Sequence, residues 1–159
     1  MTVRNLVNFS FVVSIFLIDR FSKLVMINSS TTDGSSNVSI NDFLSFNLVW
    51  NDGIAFGLFS FDQKIYYNFL TVIIILITLI ILWMILKTKG LEKIAFMMIL
   101  GGSMGNIFDR LYYSSVPDFI DIHYGNFHWF IFNVADIFIT VGVILLISLE
   151  VFKKNEKDN

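Results

Sequence analysis

The sequence predicts a polytopic α-helical membrane protein: four transmembrane helices with a small extracytoplasmic β element. Three observations carry that reading. The first is composition. Of 159 residues, 55% are hydrophobic and only 15% charged, and the mean hydropathy is +0.72, whereas a soluble domain carries about 25% charged residues. The second is four long apolar runs, at about 6–27, 65–86, 94–112 and 132–149. The third is two short segments of strict alternation between the runs, which is strand periodicity. The length supports one domain, 1–159.

Leu6 to Ile27 is the first run, with Arg4 ahead of it. A positive start before an apolar run also suits a cleavable signal peptide. However, no small-x-small site follows Ile18, and Phe21, Leu24, Val25 and Ile27 continue the pattern, so an uncleaved span is expected. Asp19 and Lys23 stand at i, i+4 near its outer end, where each can neutralise the other. Asn28 to Asn37 has no apolar residue to bury and reads as an aqueous loop. Leu44, Phe46, Leu48 and Trp50 then alternate as a strand. It delivers the chain to Asn51–Gly57, where Gly53 and Gly57 permit unusual backbone angles.

Ile65 to Leu86 is an uncharged run of 22 residues, enough to cross a hydrocarbon core of about 30 Å at about 1.5 Å per residue. Ile94 to Tyr112 is the third, with Gly101 and Gly105 as a G-x-x-x-G that lets a neighbouring helix approach closely. Ile120 to Ile131 reads as a hairpin turning at Gly125–Asn126. The last run spans about Phe132 to Leu149, followed by a polar tail expected to be mobile. Seven of the eleven Lys and Arg residues (Arg4, Lys87, Lys89, Lys93, Lys153, Lys154, Lys157) lie at the N-terminus, the middle connection and the tail. With four spans these share one side, and the positive-inside rule puts both termini in the cytoplasm.

The candidate chemistry concentrates between Gly101 and Asp136. Asn106, Asp109 and Arg110 occupy one face of a helix at i, i+3, i+4, and Asn133 and Asp136 repeat the i, i+3 spacing at the next helix start. Asp118 lies between them in an extended segment. Ionisable groups at membrane level cost about 2.5–3.5 kcal/mol each on insertion scales, so they mark function. With no cysteine, thiol catalysis is excluded. His123 and His128, five apart in a hairpin and without an H-E-x-x-H helix, do not form a catalytic zinc motif, so no metal and no cofactor are expected. The net charge of −2 gives no argument for nucleic acid. A carboxylate pair remains: one aspartate takes a proton from water and the other, still protonated, polarises a carbonyl. Spacing alone leaves Asp109, Asp118 and Asp136 as candidates and also allows a proton-coupled carrier or channel.

Five blocks in order resemble one family: D-x-x-x-K (Asp19, Lys23), N-x-G-x-x-F-G (Asn51–Gly57), G-G-x-x-G-N-x-x-D-R (Gly101–Arg110), D-F-I-D (Asp118–Asp121) and F-N-x-A-D (Phe132–Asp136). They look like those of lipoprotein signal peptidase, or signal peptidase II, the bacterial membrane aspartic protease. The resemblance implies that Asp118 and Asp136 form the catalytic dyad. It places Asn51, Gly53, Asn106, Arg110 and Asn133 as substrate-binding residues and Asp19, Lys23 and Asp109 as supporting ones. It implies cleavage of lipid-modified prolipoproteins just before the diacylglyceryl cysteine, at the outer face of the bacterial cytoplasmic membrane, with membrane lipids around the site. Pro117, Phe130 and Ser22 depart from the family's usual residues and bear on loop geometry more than on chemistry.

Overall fold

The computed structural model describes residues 3–32, 37–52 and 63–157. In chain order the elements are α1 (Val3–Thr32), β1 (Asn37–Asn41), β2 (Leu44–Asn51), α2 (Gln63–Lys87), α3 (Gly90–Tyr113), β3 (Val116–Tyr124), β4 (Phe127–Phe132) and α4 (Val134–Lys157). The four strands form one antiparallel sheet in the order β1-β2-β3-β4. Two helical segments, Ile65–Lys87 and Val134–Lys153, are long and apolar enough to cross a membrane. At 30 and 24 residues, α1 and α3 are of comparable length, but charged residues interrupt their apolar runs. The fold turns the central ones, Asp19, Arg20, Lys23 and Asp109, inward.

Most of the predicted elements form, and four details differ. Helix α1 continues through Thr32, where a loop was expected from Asn28. Ser, Thr and Asn are only a few tenths of a kcal/mol poorer than average helix formers, so an established helix can run through them. Strand β1, which pairs with β2, was not anticipated. Helix α4 starts at Val134, since Phe132 still belongs to β4 and Asn133 caps the helix. At its other end it continues through Lys157, well into the tail expected to be mobile. Gly53 and the rest of the Asn51–Gly57 segment beyond Asp52 lie outside the described residues.

Helix α3 is the axis of the molecule and packs on α1, α2 and α4. Its inner face contributes Phe96, Met97, Ile99 and Leu100 to a core shared with Val12 of α1 and Ile85 of α2. The outward face of α2, with Phe69, Leu76, Leu79, Ile80 and Trp83, stays exposed. That pattern suits an apolar solvent. Close helix approach depends on the glycines of α3. A β carbon on Gly101 would stand 2.8 Å from the Ile15 side chain of α1, and one on Gly105 would collide with the Asp19 carboxylate of the same helix. The G-x-x-x-G spacing therefore serves packing within this chain.

Ser114 ends α3 in the left-handed region (φ 59°) and turns the chain into β3. Strands β3 and β4 meet at a two-residue turn in which Gly125 has φ +57°, the position a II′ hairpin gives to glycine. A second core of Met26, Phe119 and Ile120, flanked by Leu44, Phe46, Leu48, Phe132 and Val134, seats the sheet on the ends of α1 and α4.

Candidate active site

The site is assembled on the first turn of α4. A helix start leaves backbone N–H groups without partners, and three acidic or amide side chains meet them here. Asn133 is the cap: its Oδ1 accepts the Asp136 N–H at 3.1 Å, and Asp136 Oδ2 accepts the Asn133 N–H at 3.0 Å. This is a reciprocal capping box with aspartate as its acid. One residue inward, the Ala135 N–H donates to Asp19 Oδ1 of α1 at 2.9 Å. Carboxylates at a helix N-terminus are favoured by the partial positive charge there.

Asp118 reaches the same place from β3. Its Oδ1 accepts Asn133 Nδ2 at 2.6 Å and its Oδ2 accepts Asn51 Nδ2 at 2.8 Å. Asn51 stands at the end of β2, which pairs with β3 there through the Asn51–Val116 and Val49–Asp118 register. The Asp118 carboxyl is buried, and its pKa is raised from 3.8 to about 6. Desolvation is the main cause. The amide donors Asn51 and Asn133 pull it down, the negative charge of Asp136 pushes it up, and Lys23 pulls it down.

Behind the two aspartates lies a closed ionic cluster. Asp19, Lys23 and Asp109 are fully buried and Arg20 nearly so. Lys23 Nζ donates to Asp109 Oδ2 (2.7 Å), Asp19 Oδ2 (2.9 Å) and Asn106 Oδ1 (2.9 Å), filling all three of its donors. Arg20 Nη2 lies 2.5 Å from Asp109 Oδ1, and its guanidinium sits 4.9 Å from the Phe108 ring. Two cations and two anions leave the cluster neutral, which is what makes such burial tolerable. Asn106 joins it to the outer layer by donating from Nδ2 to Asp136 Oδ1 at 2.8 Å.

The structure thus brings Asn51, Asn106, Asn133, Asp118 and Asp136 together, with Asp19, Lys23 and Asp109 one layer deeper. The cation next to Asp109 in sequence, Arg110, is not the partner of its carboxylate. Its cations are Arg20 and Lys23 of α1, while Arg110 turns its Nη1 back to the Asn106 carbonyl at 3.2 Å. Adjacent helical residues do not face each other, so adjacency was a poor guide. Arg20 was missed for the same reason: nothing in the local spacing of α1 announces a partner on α3. Beside Asp136 an apolar crevice of about 210 Å³ is lined by Phe130, Phe132, Ile137, Thr140 and Val141. His123 and His128, expected to be unconnected with metal, are register partners across the β3–β4 hairpin and share Asp121 between them.

Against known proteins, residues 11–152 match the family model for signal peptidase (SPase) II. A lipoprotein signal peptidase of Pelagibacter ubique (strain HTCC1062) is 46% identical over 152 residues, covering 96% of this chain and 92% of its own. One of Francisella tularensis subsp. novicida (strain U112) is 41% identical over 126 residues, covering 77% and 78%. Two solved structures described as bacterial membrane enzymes share the fold. One has a TM-score of 0.76 at 28% identity, over 90% of this chain and 91% of that one. The other has a TM-score of 0.69 at 26% identity, over 96% and 92%.

Proposed function

The chain belongs to the signal peptidase II family, and from that membership we propose that Asp118 and Asp136 are its catalytic dyad. The protein is a membrane aspartic protease that cleaves the signal peptides of prolipoproteins. The observation that carries the dyad is the geometry of Asn133, which binds one carboxylate through its side-chain amide and the other through its backbone N–H. The negative charge of Asp136 acts on Asp118 and favours a proton there. The proton belongs on Asp118, the buried strand residue with the raised pKa. Asp136, accepting two N–H bonds at a helix N-terminus, is the base. A water between them gives a proton to Asp136 as it attacks the scissile carbonyl, while Asp118 donates a hydrogen bond to the developing oxyanion. Collapse of the tetrahedral adduct breaks the C–N bond, and the proton held by Asp136 passes to the leaving amine.

Asn106 is a positioning residue in this reading, because its amide is engaged by Lys23 on one side and Asp136 on the other. Asn51 and Arg110 remain as the groups that hold the substrate backbone. The buried Arg110 Nε makes no hydrogen bond among the described residues. The signal peptide and the lipid of a diacylglyceryl-modified precursor fit apolar surface such as the crevice beside Asp136. All four helices cross the membrane, with the sheet on the outer face and both termini inside. Supporting this, Lys153 near the end of α4 pairs with Glu92 at the start of α3, which sets the end of α4 beside the lysine-bearing α2–α3 connection. A proton-coupled carrier, the other reading of these aspartates, has no support from the family. The test is cleavage of a diacylglyceryl-modified precursor peptide by purified protein in detergent. Asp118→Asn and Asp136→Asn should each remain folded, bind precursor and turn it over at least about a thousandfold more slowly. Undiminished turnover by either variant would overturn the dyad.

A further inference from the structure

Asp121, three residues beyond Asp118 on β3, has no part in the chemistry above, yet its carboxylate is buried to 2% exposure. Its contacts are His128 Nδ1 at 2.9 and 3.0 Å and a long 3.4 Å bond from Ser45 Oγ. His123 and His128 face each other across the hairpin in register, their rings stacked at 5.2 Å. One ligand atom from each of the three side chains lies within 4.8 Å of the other two. We propose that Asp121, His123 and His128 form a binding site for one late first-row divalent cation, zinc in particular, that clips β3 to β4.

The donor set fits that chemistry. Imidazole nitrogen and carboxylate oxygen suit zinc, which takes three such ligands and completes a tetrahedron with water. Metal–ligand bonds of about 2.0–2.1 Å at tetrahedral angles set donor atoms about 3.3 Å apart. The Asp121–His128 pair is already near that separation. His123 must swing inward by up to about 1.5 Å, which its partly exposed position on a hairpin permits. The Nδ1 of His123 lies 3.5 Å from the Asp121 carbonyl oxygen, and with its proton placed there Nε2 is the nitrogen with a lone pair for the ion. A backbone carbonyl on the far nitrogen is the usual support of a ligating histidine. His128 would bind through Nδ1, the atom now on Asp121, with its side chain 55% exposed and the ion reachable from solvent.

The site lies on the hairpin whose strands carry Asp118 and lead into Asn133, so a bound ion would stiffen the frame of the dyad without touching it. Isothermal titration of zinc sulfate into untagged full-length protein in detergent should show one saturable site, with Kd on the order of micromolar. Cobalt(II) should give the d–d absorption of a tetrahedral site at the same stoichiometry. His123→Ala and His128→Ala should each weaken binding by about tenfold or more and remove the cobalt spectrum, both being surface changes that spare the core. Asp121→Asn should do the same; should it fail to fold, the two histidine variants still decide. Absence of saturable binding below about 1 mM, or affinity unchanged in either histidine variant, would overturn the site.

Discussion

Asn133 Nδ2 donates to Asp118 Oδ1 at 2.6 Å, and this short bond ties the strand-borne aspartate to the cap of the helix that carries the other. The same side chain holds the Asp136 N–H through Oδ1. Capping and dyad geometry are therefore one feature with two separable parts. Asn133→Ala removes both and should lose about 1 kcal/mol of stability, typical for a lost cap, together with nearly all turnover. Asn133→Ser keeps a capping hydroxyl, which is too short to cap the helix and reach Asp118 as well. Its thermal midpoint in detergent should stay close to the parent's while kcat falls by about a hundredfold or more. A serine variant with near-normal kcat would show that the bridge to Asp118 does not position the dyad.

The buried cluster makes a different prediction, about folding. Removing one member of a paired buried set leaves an uncompensated charge, at a cost of about 3–5 kcal/mol. Arg20→Met and Asp109→Asn should each destabilise the protein by that order, and the double variant by clearly less than their sum, because Arg20 Nη2 and Asp109 Oδ1 are direct partners. Thermal unfolding of the four proteins in one detergent completes the cycle. Additive losses would mean that the two side chains are not coupled.

How much of this was legible in the sequence follows from the range of each interaction. The helix periods, the hairpin turn at Gly125 and the i, i+3 pair Asn133–Asp136 are local, and each stands where the pattern put it. The cap itself is a local motif, so the start of the site was readable. Sequence shows Arg110 beside Asp109, whereas the cations that meet its carboxylate lie nearly ninety residues away on α1. The continuation of α1 through Thr32 was hidden by polar composition, which says what faces water and little about backbone conformation. Strand β1 is five residues beside a polar stretch, and its existence depends on an edge offered by β2. The Asp121–His123–His128 group needed the register of β3 and β4, which a five-residue spacing across a turn does not by itself fix.

Topology can be tested independently of chemistry. The lysines of the α2–α3 connection and the Glu92–Lys153 pair mark one end of the bundle, and the sheet lies at the other. Reporter fusions at Thr88 and Asp42 should therefore report opposite sides, with Thr88 cytoplasmic. The same side for both would mean that the four helices do not all cross.

The last prediction concerns proton occupancy at Asp118. Its pKa is raised to about 6 from an ordinary 3.8, so the folded protein holds this proton more tightly than the unfolded chain. The associated stability is complete below about pH 3.8 and is lost as pH rises to about 6, because over that window the folded state binds more protons. For catalysis the sign is the same: in the proposed mechanism Asp118 carries a proton to polarise the carbonyl, so kcat/KM should decline on an alkaline limb that reports the free enzyme. Asn51 supplies the lever. Its Nδ2 donates to Asp118 Oδ2 and favours the ionised form. Asn51→Ala removes that donor, raises the Asp118 pKa further and should move the alkaline limb to higher pH, even as the maximum rate falls through weaker substrate holding. A limb that stays in place, or moves to lower pH, would assign the titration to another group and count against Asp118 as the proton-bearing member of the dyad.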